Sequence, residues 1–128
     1  MKSPDMENQE TIDEERGEVG IELGGKTYPM AATYDAVKAI ERDIGSILGI
    51  SARLRSYEQS LTLNEIAVIV TRSVQAAGKE RDDEMLKAFS VDKVGRSIYK
   101  IGVSKVMQPL TRLLYRMLSG TNHPGGDS

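Results

Sequence analysis

The sequence predicts a mainly α-helical domain in which one N-terminal β-hairpin packs on a bundle of four or five helices. Apolar and polar residues alternate in only one segment, as in a half-buried strand. Its apolar side chains, Val19, Ile21 and Leu23, are predicted on one face, and Glu18, Gly20 and Glu22 on the other. From Thr33 onward, apolar residues instead recur at every third or fourth position, which is the period of a helix. The composition, with 39% hydrophobic and 28% charged residues and a net charge of -2, is that of a soluble globular protein.

We expect three regions in the 128 residues. Residues 1–16 have six acidic and two basic side chains with few apolar ones, and they predict a disordered acidic arm. Residues 17–119 are long enough for a single helical domain with one hydrophobic core and the N-terminal hairpin. Residues 120–128 contain no apolar side chain and many turn-forming residues, so they predict a flexible tail.

The hairpin is predicted from its turn. Gly24 and Gly25 supply a two-residue turn of the kind that needs positive φ angles, which glycine adopts freely. Counting outward from that turn places apolar residues opposite one another on one side of the hairpin. The predicted cross-strand pairs are Val19 with Met30, Ile21 with Tyr28, and Glu22 with Thr27.

The same segment, residues 20–27, matches the nucleotide-binding pattern G-x-x-x-x-G-K-[ST]. That loop must follow a strand and open a helix, because the helix amides bind the phosphates. Here the residues before Lys26 alternate like a strand, and Pro29 follows closely. Glu22, in the middle of the pattern, would also repel phosphate. We therefore interpret the segment as a hairpin without a nucleotide site.

Two helical stretches follow the hairpin. The first begins at the N-cap Thr33 and predicts either one bent helix or, as we favour, two helices separated near Gly45. The second begins at a capping box between Thr62 and Glu65. We expect it to end at Gly78, after about fifteen residues.

Two further helices are predicted in the last third of the sequence. The acids at residues 82–84 are typical of the first turn of a short helix, which we expect to reach Phe89. After Ser90 the apolar period continues to Gly120. Because Pro109 removes one intrahelical hydrogen bond, we expect a kink or break just before Leu110.

The sequence offers few residues for catalysis or metal binding. Without cysteine there is no disulfide, thiolate metal site or cysteine nucleophile. His123, the one histidine, lies in the predicted tail, where nothing would hold it as a base. An oxygen cage for a hard cation needs about six ligands, so helix capping is the better interpretation of the acids at residues 82–84. We expect no enzyme, no cofactor and no metal.

Basic residues are concentrated in residues 87–120, which have seven basic side chains and one acidic side chain. Lys93, Arg96 and Lys100 would share one helix face and could neutralise phosphates. The low isoelectric point of about 5.5 and the few aromatic residues nearby argue against nucleic acid as the partner. A solvated charged face, an acidic partner, and the arm at residues 1–16 are the other interpretations of this segment.

Nothing in the sequence predicts a membrane protein. The longest apolar run, residues 66–70, is far shorter than the roughly 20 residues needed to cross a bilayer. Residues 1–10 have no apolar stretch and are not a signal peptide. We therefore expect a cytoplasmic protein without a membrane partner.

The order of hairpin and helices also resembles a known family. The resembling residues are 17–19, 23–28, 33–48 and 61–66, together with Gly78 and Gly102. These motifs resemble the small tail proteins of phages and phage-like gene transfer agents, which are generally regarded as tail assembly chaperones. The chain departs from that family in its longer acidic arm and in Pro109, which interrupts a helix usually rich in alanine and leucine.

The resemblance implies a non-enzymatic protein. Members of this family are thought to bind the tape measure protein, the long helical polypeptide that sets tail length, until tube subunits polymerise around it. Tail tube subunits and a second copy of the chain are further candidate partners. A structural tail tube or connector protein is one alternative, although a ring-forming tube subunit needs many strands and only one hairpin is predicted. A small nucleic-acid-binding regulator is another alternative.

The predicted partner surface lies on the helix that ends near Gly120. Its apolar residues span more than half of the circumference, whereas packing on its own domain needs a stripe of only about 100°. The predicted partner-binding residues are Met107, Leu114, Met117, Arg112 and Arg116. The predicted core residues are Leu110, Leu113 and Leu118. The alternative interpretation is a central helix that is buried on most sides.

Overall fold

The computed structural model describes residues 12–120, where a two-stranded hairpin precedes six helices. The strands are β1 Glu18–Leu23 and β2 Lys26–Ala31. The helices are α1 Tyr34–Asp43, α2 Ile47–Leu54, α3 Leu63–Arg81, α4 Glu84–Lys87, α5 Val91–Ile101 and α6 Met107–Ser119. The predicted fold class, mainly α with an N-terminal hairpin on a helical bundle, is confirmed. The predicted tail at 121–128 and most of the predicted arm, residues 1–11, lie outside the described residues.

The hairpin has the predicted register. Val19 pairs with Met30 and Ile21 with Tyr28 across two antiparallel strands. The turn residues Gly24 and Gly25 have φ angles of 60° and 87°, a backbone conformation that residues other than glycine rarely adopt. The segment that matches the nucleotide-binding pattern is therefore two strands and their turn, and no helix follows it directly.

Helix α3 is the centre of the bundle and contacts α1, α4, α5 and β2. Its N-terminus has the predicted capping box, in which Glu65 N–H donates to Thr62 Oγ1 (3.0 Å) and Thr62 N–H donates to Glu65 Oε1 (2.9 Å). The predicted end at Gly78 is wrong, because α3 continues to Arg81. A Cβ atom at Gly78 would lie 2.7 Å from Leu86 Cβ, so this glycine permits the close approach of α4.

The predicted separation near Gly45 is confirmed, and this residue, with φ 150°, lies between α1 and α2. The kink or break predicted just before Leu110 is wrong. The chain instead leaves α5 at Gly102 and passes through a 3₁₀ helix, Val103–Val106, before α6. Pro109 lies in the first turn of α6, where a backbone N–H has no intrahelical acceptor, so the proline costs no hydrogen bond.

The residues just before β1 are ordered, and the prediction of a disordered arm as far as residue 16 is wrong at this end. A 3₁₀ helix, Glu14–Arg16, precedes β1, and the side chain of Asp13 accepts from the N–H of Arg16. Ile12 lies against the hairpin, since a Cβ atom at Gly20 would be 3.1 Å from its Cγ1. The ordered domain therefore begins before residue 17.

One hydrophobic core joins the hairpin to the helices. The inner face of the hairpin contributes Val19, Ile21 and Met30, and α3 contributes Ile69 and Val70. Strand β1 also contacts α5 and α6, and α6 contacts α2. None of the six helices of residues 12–120 combines the length and the apolar character that a bilayer-spanning helix requires.

Candidate functional site

Helix α6 does not present the predicted apolar surface to solvent. Leu110 and Leu113 are buried as predicted. Leu114 is only 1% exposed and packs in the core, so the prediction that it faces a partner is wrong. Leu118, predicted in the core, is 43% exposed. The reason is that α6 packs on β1 and on α2, so two neighbouring faces of the helix are covered.

The other predicted residues of α6 do not form a continuous apolar patch. Met107 and Met117 are half-buried against the core. Arg112 is exposed and Arg116 is half-exposed. The structure is nearer to the alternative interpretation, a helix buried on more than one side. A partner-binding role for Met107, Met117, Arg112 and Arg116 stays a prediction.

A different surface has the shape of a binding site. Between the N-terminal part of α3 and the flank of α5 lies an open groove with a volume of about 580 Å³. Its lining residues are Leu63, Asn64 and Ala67 of α3 and Val91, Asp92, Gly95, Arg96, Tyr99 and Lys100 of α5. The lining residues of α5 span about two and a half turns, which at 1.5 Å per residue is about 14 Å.

The groove exists because two small residues meet where the helices approach. A Cβ atom at Gly95 would lie 3.5 Å from Ala67 Cβ, in ordinary van der Waals contact. Neither residue has a side chain that could fill the space above this contact. Val94 and Ile98, on the buried face of α5, hold the helix on the core and leave its flank open. The Ser90 side chain caps α5 by accepting from the N–H of Lys93 (3.2 Å).

The rim of the groove is aromatic and basic. Tyr99 is 77% exposed. Arg96 donates from Nε to Asp92 Oδ2 at 2.9 Å, and this hydrogen bond raises the pKa of the guanidinium above its ordinary value. Lys100, one turn beyond Arg96, is exposed. A partner in the groove would contact apolar groups at the floor, a ring at the edge, and two cations.

The acidic residues that follow α3 have structural roles. Asp83 caps α4 by accepting from the N–H groups of Met85 and Leu86. Lys87 Nζ lies 2.8 Å from a Glu84 oxygen and 3.1 Å from an Asp82 oxygen, and these hydrogen bonds, Glu84 first, raise the pKa of the lysine. Over residues 12–120, no group of three or more His, Cys, Asp or Glu side chains is placed to hold a metal ion.

The groove was not predicted from the sequence, although one signal for it is present. Gly95 interrupts a strongly periodic helix at a position where no turn or cap requires glycine. A glycine at such a position has either a packing or a functional reason. The sequence does not say that Ala67, 28 residues earlier, is its neighbour.

No family model, curated protein or solved structure matches the chain. The functional assignment therefore depends on the geometry of the groove and on the sequence motifs.

Proposed function

We propose that the chain is a non-enzymatic binding protein of the phage tail assembly chaperone type, which holds a helical segment of the tape measure protein. The observation that supports this proposal best is the groove between α3 and α5, with small residues at its floor and Tyr99 at its edge. Amphipathic helices bind their partners by laying an apolar face into such a groove. The sequence resemblance supports the identity of the partner.

The dimensions of the groove fit this role. A length of about 14 Å corresponds to roughly nine residues of a partner helix, or two and a half turns. Such a contact covers part of one apolar face and leaves the rest of a long helix free for further copies of the chaperone. A protein that binds in this way keeps an aggregation-prone helical polypeptide in solution without any chemical step. In this role the chain would act in the cytoplasm of the host cell during tail assembly.

The alternatives receive less support from the described residues. A tail tube or connector built on packed sheets needs more strands than the single hairpin of residues 12–120. For a nucleic-acid-binding regulator, the favourable observation is that Tyr99 lies beside Arg96 and Lys100, since bases stack on exposed rings next to cations. Arg96 is already paired with Asp92, however, and the floor of the groove is apolar.

Co-purification tests the proposal. The full chain is co-expressed with a tape measure protein encoded in the same gene cluster, and we expect the two to co-purify and the tape measure protein to stay soluble. Tyr99→Ala should reduce the recovered complex severalfold, because it removes the exposed edge of the groove. Tyr115→Ala is the matched control, since this ring is 72% exposed but lies on α6, outside the groove.

Three outcomes would contradict the proposal. Loss of the complex in Tyr115→Ala alone would place the binding surface on α6. Absence of any complex with the tape measure protein would remove the chaperone assignment. Retention of the chain on DNA, weakening as salt is raised, would favour the regulator instead.

A further inference from the structure

We infer that the groove between α3 and α5 selects a partner helix whose apolar stripe is flanked by acidic side chains. This inference rests on the proposed function and names the chemistry of the segment that would bind. It follows from the charges at the rim of the groove, considered together with the charge of the whole chain.

Positive charge without an ionic partner is concentrated in the last third of the chain, although the chain as a whole has a net charge of -2. In the described part of the chain, five basic side chains of α5, α6 and the 3₁₀ helix between them make no ion pair. They are Lys93, Lys100, Lys105, Arg112 and Arg116. Of these, Lys100 lines the groove directly. A carboxylate brought to this edge would therefore meet a cation that has no other ionic partner there.

The spacing of the rim cations fits a helix. Arg96 and Lys100 are four residues apart on α5, so their side chains lie on one edge of the groove, one turn from each other. An acidic residue on a partner helix would meet Lys100, and a second one, one turn away, would share Arg96 with Asp92. Asp92 is the one acid in the lining, and its carboxylate is held by Arg96 at 2.9 Å. A partner with basic flanks would instead place a cation beside Lys100.

The floor of the groove sets the apolar part of the partner. Ala67 and Gly95 leave room for a helix to approach closely, so alanine or leucine side chains can reach the floor. The rim charges are exposed, and exposed charges are screened by salt. We therefore expect apolar contact to hold the partner and charge to select it, with a preference that weakens as ionic strength rises.

The acidic residues 1–11 of the chain itself are a competing occupant. They contain Asp5, Glu7 and Glu10, but their only large apolar side chains are Met1 and Met6. Such a segment matches the rim but not the floor, so we favour a separate apolar helix. A second copy of the chain is the other competitor, and both are outcomes of the test below.

The probe is a fluorescein-labelled 16-residue helical peptide with alanine and leucine on one face and glutamate on both flanks. A control peptide has lysine in place of every glutamate. Fluorescence anisotropy with the full chain should show binding about tenfold tighter for the acidic peptide at low salt, with a smaller difference at high salt. Lys100→Glu should remove most of this preference. Lys105→Glu makes the same charge change on an exposed residue outside the groove and should leave the preference within about twofold.

Several results would overturn the inference. One is equal binding of the two peptides, and another is an equal loss of preference in Lys100→Glu and Lys105→Glu. Tighter acidic-peptide binding by about tenfold in a full-length variant with Asp5→Asn, Glu7→Gln and Glu10→Gln would show that residues 1–11 occupy the groove. A dimer in analytical ultracentrifugation that dissociates in Tyr99→Ala would assign the groove to a second copy. Displacement of the acidic peptide by single-stranded DNA at lower concentration than by unlabelled peptide would assign it to nucleic acid.

The inference and the proposed function can fail separately. If neither peptide binds while the tape measure protein co-purifies and depends on Tyr99, the acidic-helix inference is wrong and the chaperone proposal stands. If the acidic peptide binds as expected but no tape measure protein co-purifies, the groove chemistry is right and the chaperone proposal is wrong.

Discussion

Glu18 and Arg81 are 63 residues apart in sequence and form an ion pair in the interior, with 2.6 Å between Glu18 Oε1 and Arg81 Nη2. A second hydrogen bond, from Arg81 Nε to Glu18 Oε2, is 3.2 Å long. The same carboxylate accepts from the N–H of Asp13 at 2.8 Å. Glu18, at 1% exposure, therefore joins the turn before β1, the strand itself and the last turn of α3.

Arg81→Ala should destabilise the fold by about 3 kcal/mol, because it leaves the buried Glu18 carboxylate without its guanidinium. Urea denaturation measures this change. Lys79→Ala is the control, since Lys79 lies in the same last turn of α3 and its pair with Asp35 (3.1 Å) is exposed. That variant should lose less than about 1 kcal/mol. Equal losses in the two variants would show that the buried ion pair contributes no more to stability than the exposed one.

Two of the glycines inside helices, Gly78 and Gly95, should respond oppositely to alanine. Gly78→Ala should destabilise by about 1–3 kcal/mol despite its better helix propensity, because the new Cβ would be 2.7 Å from both Leu86 Cβ and the Lys87 backbone nitrogen. Gly95→Ala meets nothing closer than 3.5 Å and should stabilise by up to about 1 kcal/mol. Thermal unfolding followed by circular dichroism measures the stability of both variants. A stabilised Gly78→Ala variant would contradict the tight packing of α4 on α3.

The burial of α6 predicts different costs for two of its leucines. Leu114→Ala removes a core side chain and should cost about 2–5 kcal/mol. Leu118→Ala, on the exposed side, should cost less than about 1 kcal/mol. Chemical denaturation of both variants compares the two costs. Comparable values would mean that α6 is rotated relative to its position in the structure.

The pH dependence of stability should depend on Glu65. The pKa of its carboxyl lies below the ordinary value of 4.5, first because of hydrogen bonds from Arg53 and then because of the Thr62 N–H. The two Arg53 bonds are 2.7 and 2.9 Å long. A depressed pKa in the folded state stabilises the fold above pH 4.5, and this contribution disappears as the pH falls through the lowered value.

Glu65→Gln should therefore be less stable than the parent chain near neutral pH, with the difference shrinking as the pH falls below 4.5. The midpoints of urea unfolding of both proteins, determined over a range of pH, measure this difference in stability. Glu58→Gln is the control, because Glu58 is exposed in the preceding loop and its carboxylate makes no hydrogen bond within residues 12–120. A difference for Glu65→Gln that stays constant with pH would contradict this account.

Local features could be predicted from the sequence because neighbours in the chain determine them. The register of Val19 with Met30 follows from the turn at Gly24, and the capping box follows from the spacing of Thr62 and Glu65. Both need contacts over only a few residues. The same local reasoning predicts the separation of α1 from α2 near Gly45, because no contact with a distant side chain is needed to separate these two helices.

Features that depend on distant neighbours were predicted wrongly or not at all. The alternation of β1 gave Glu18 an outward position, but the end of α3 covers that end of the strand and buries it. The apolar circumference of α6 did not show that Leu114 rather than Leu118 would pack in the core. The groove needs Ala67 beside Gly95, which only the packing of α3 on α5 provides.

The contact between β1 and α6 has a consequence for biosynthesis. The hairpin can form as soon as its own residues leave the ribosome, but α6, which packs on β1, is made roughly 80 residues later, or about 4–16 s at usual rates of synthesis. During that interval β1 lacks the part of its native cover that α6 provides. The nascent chain therefore exposes apolar surface for several seconds. The rate at which the residues between β1 and α6 are translated should influence how much protein aggregates before it folds.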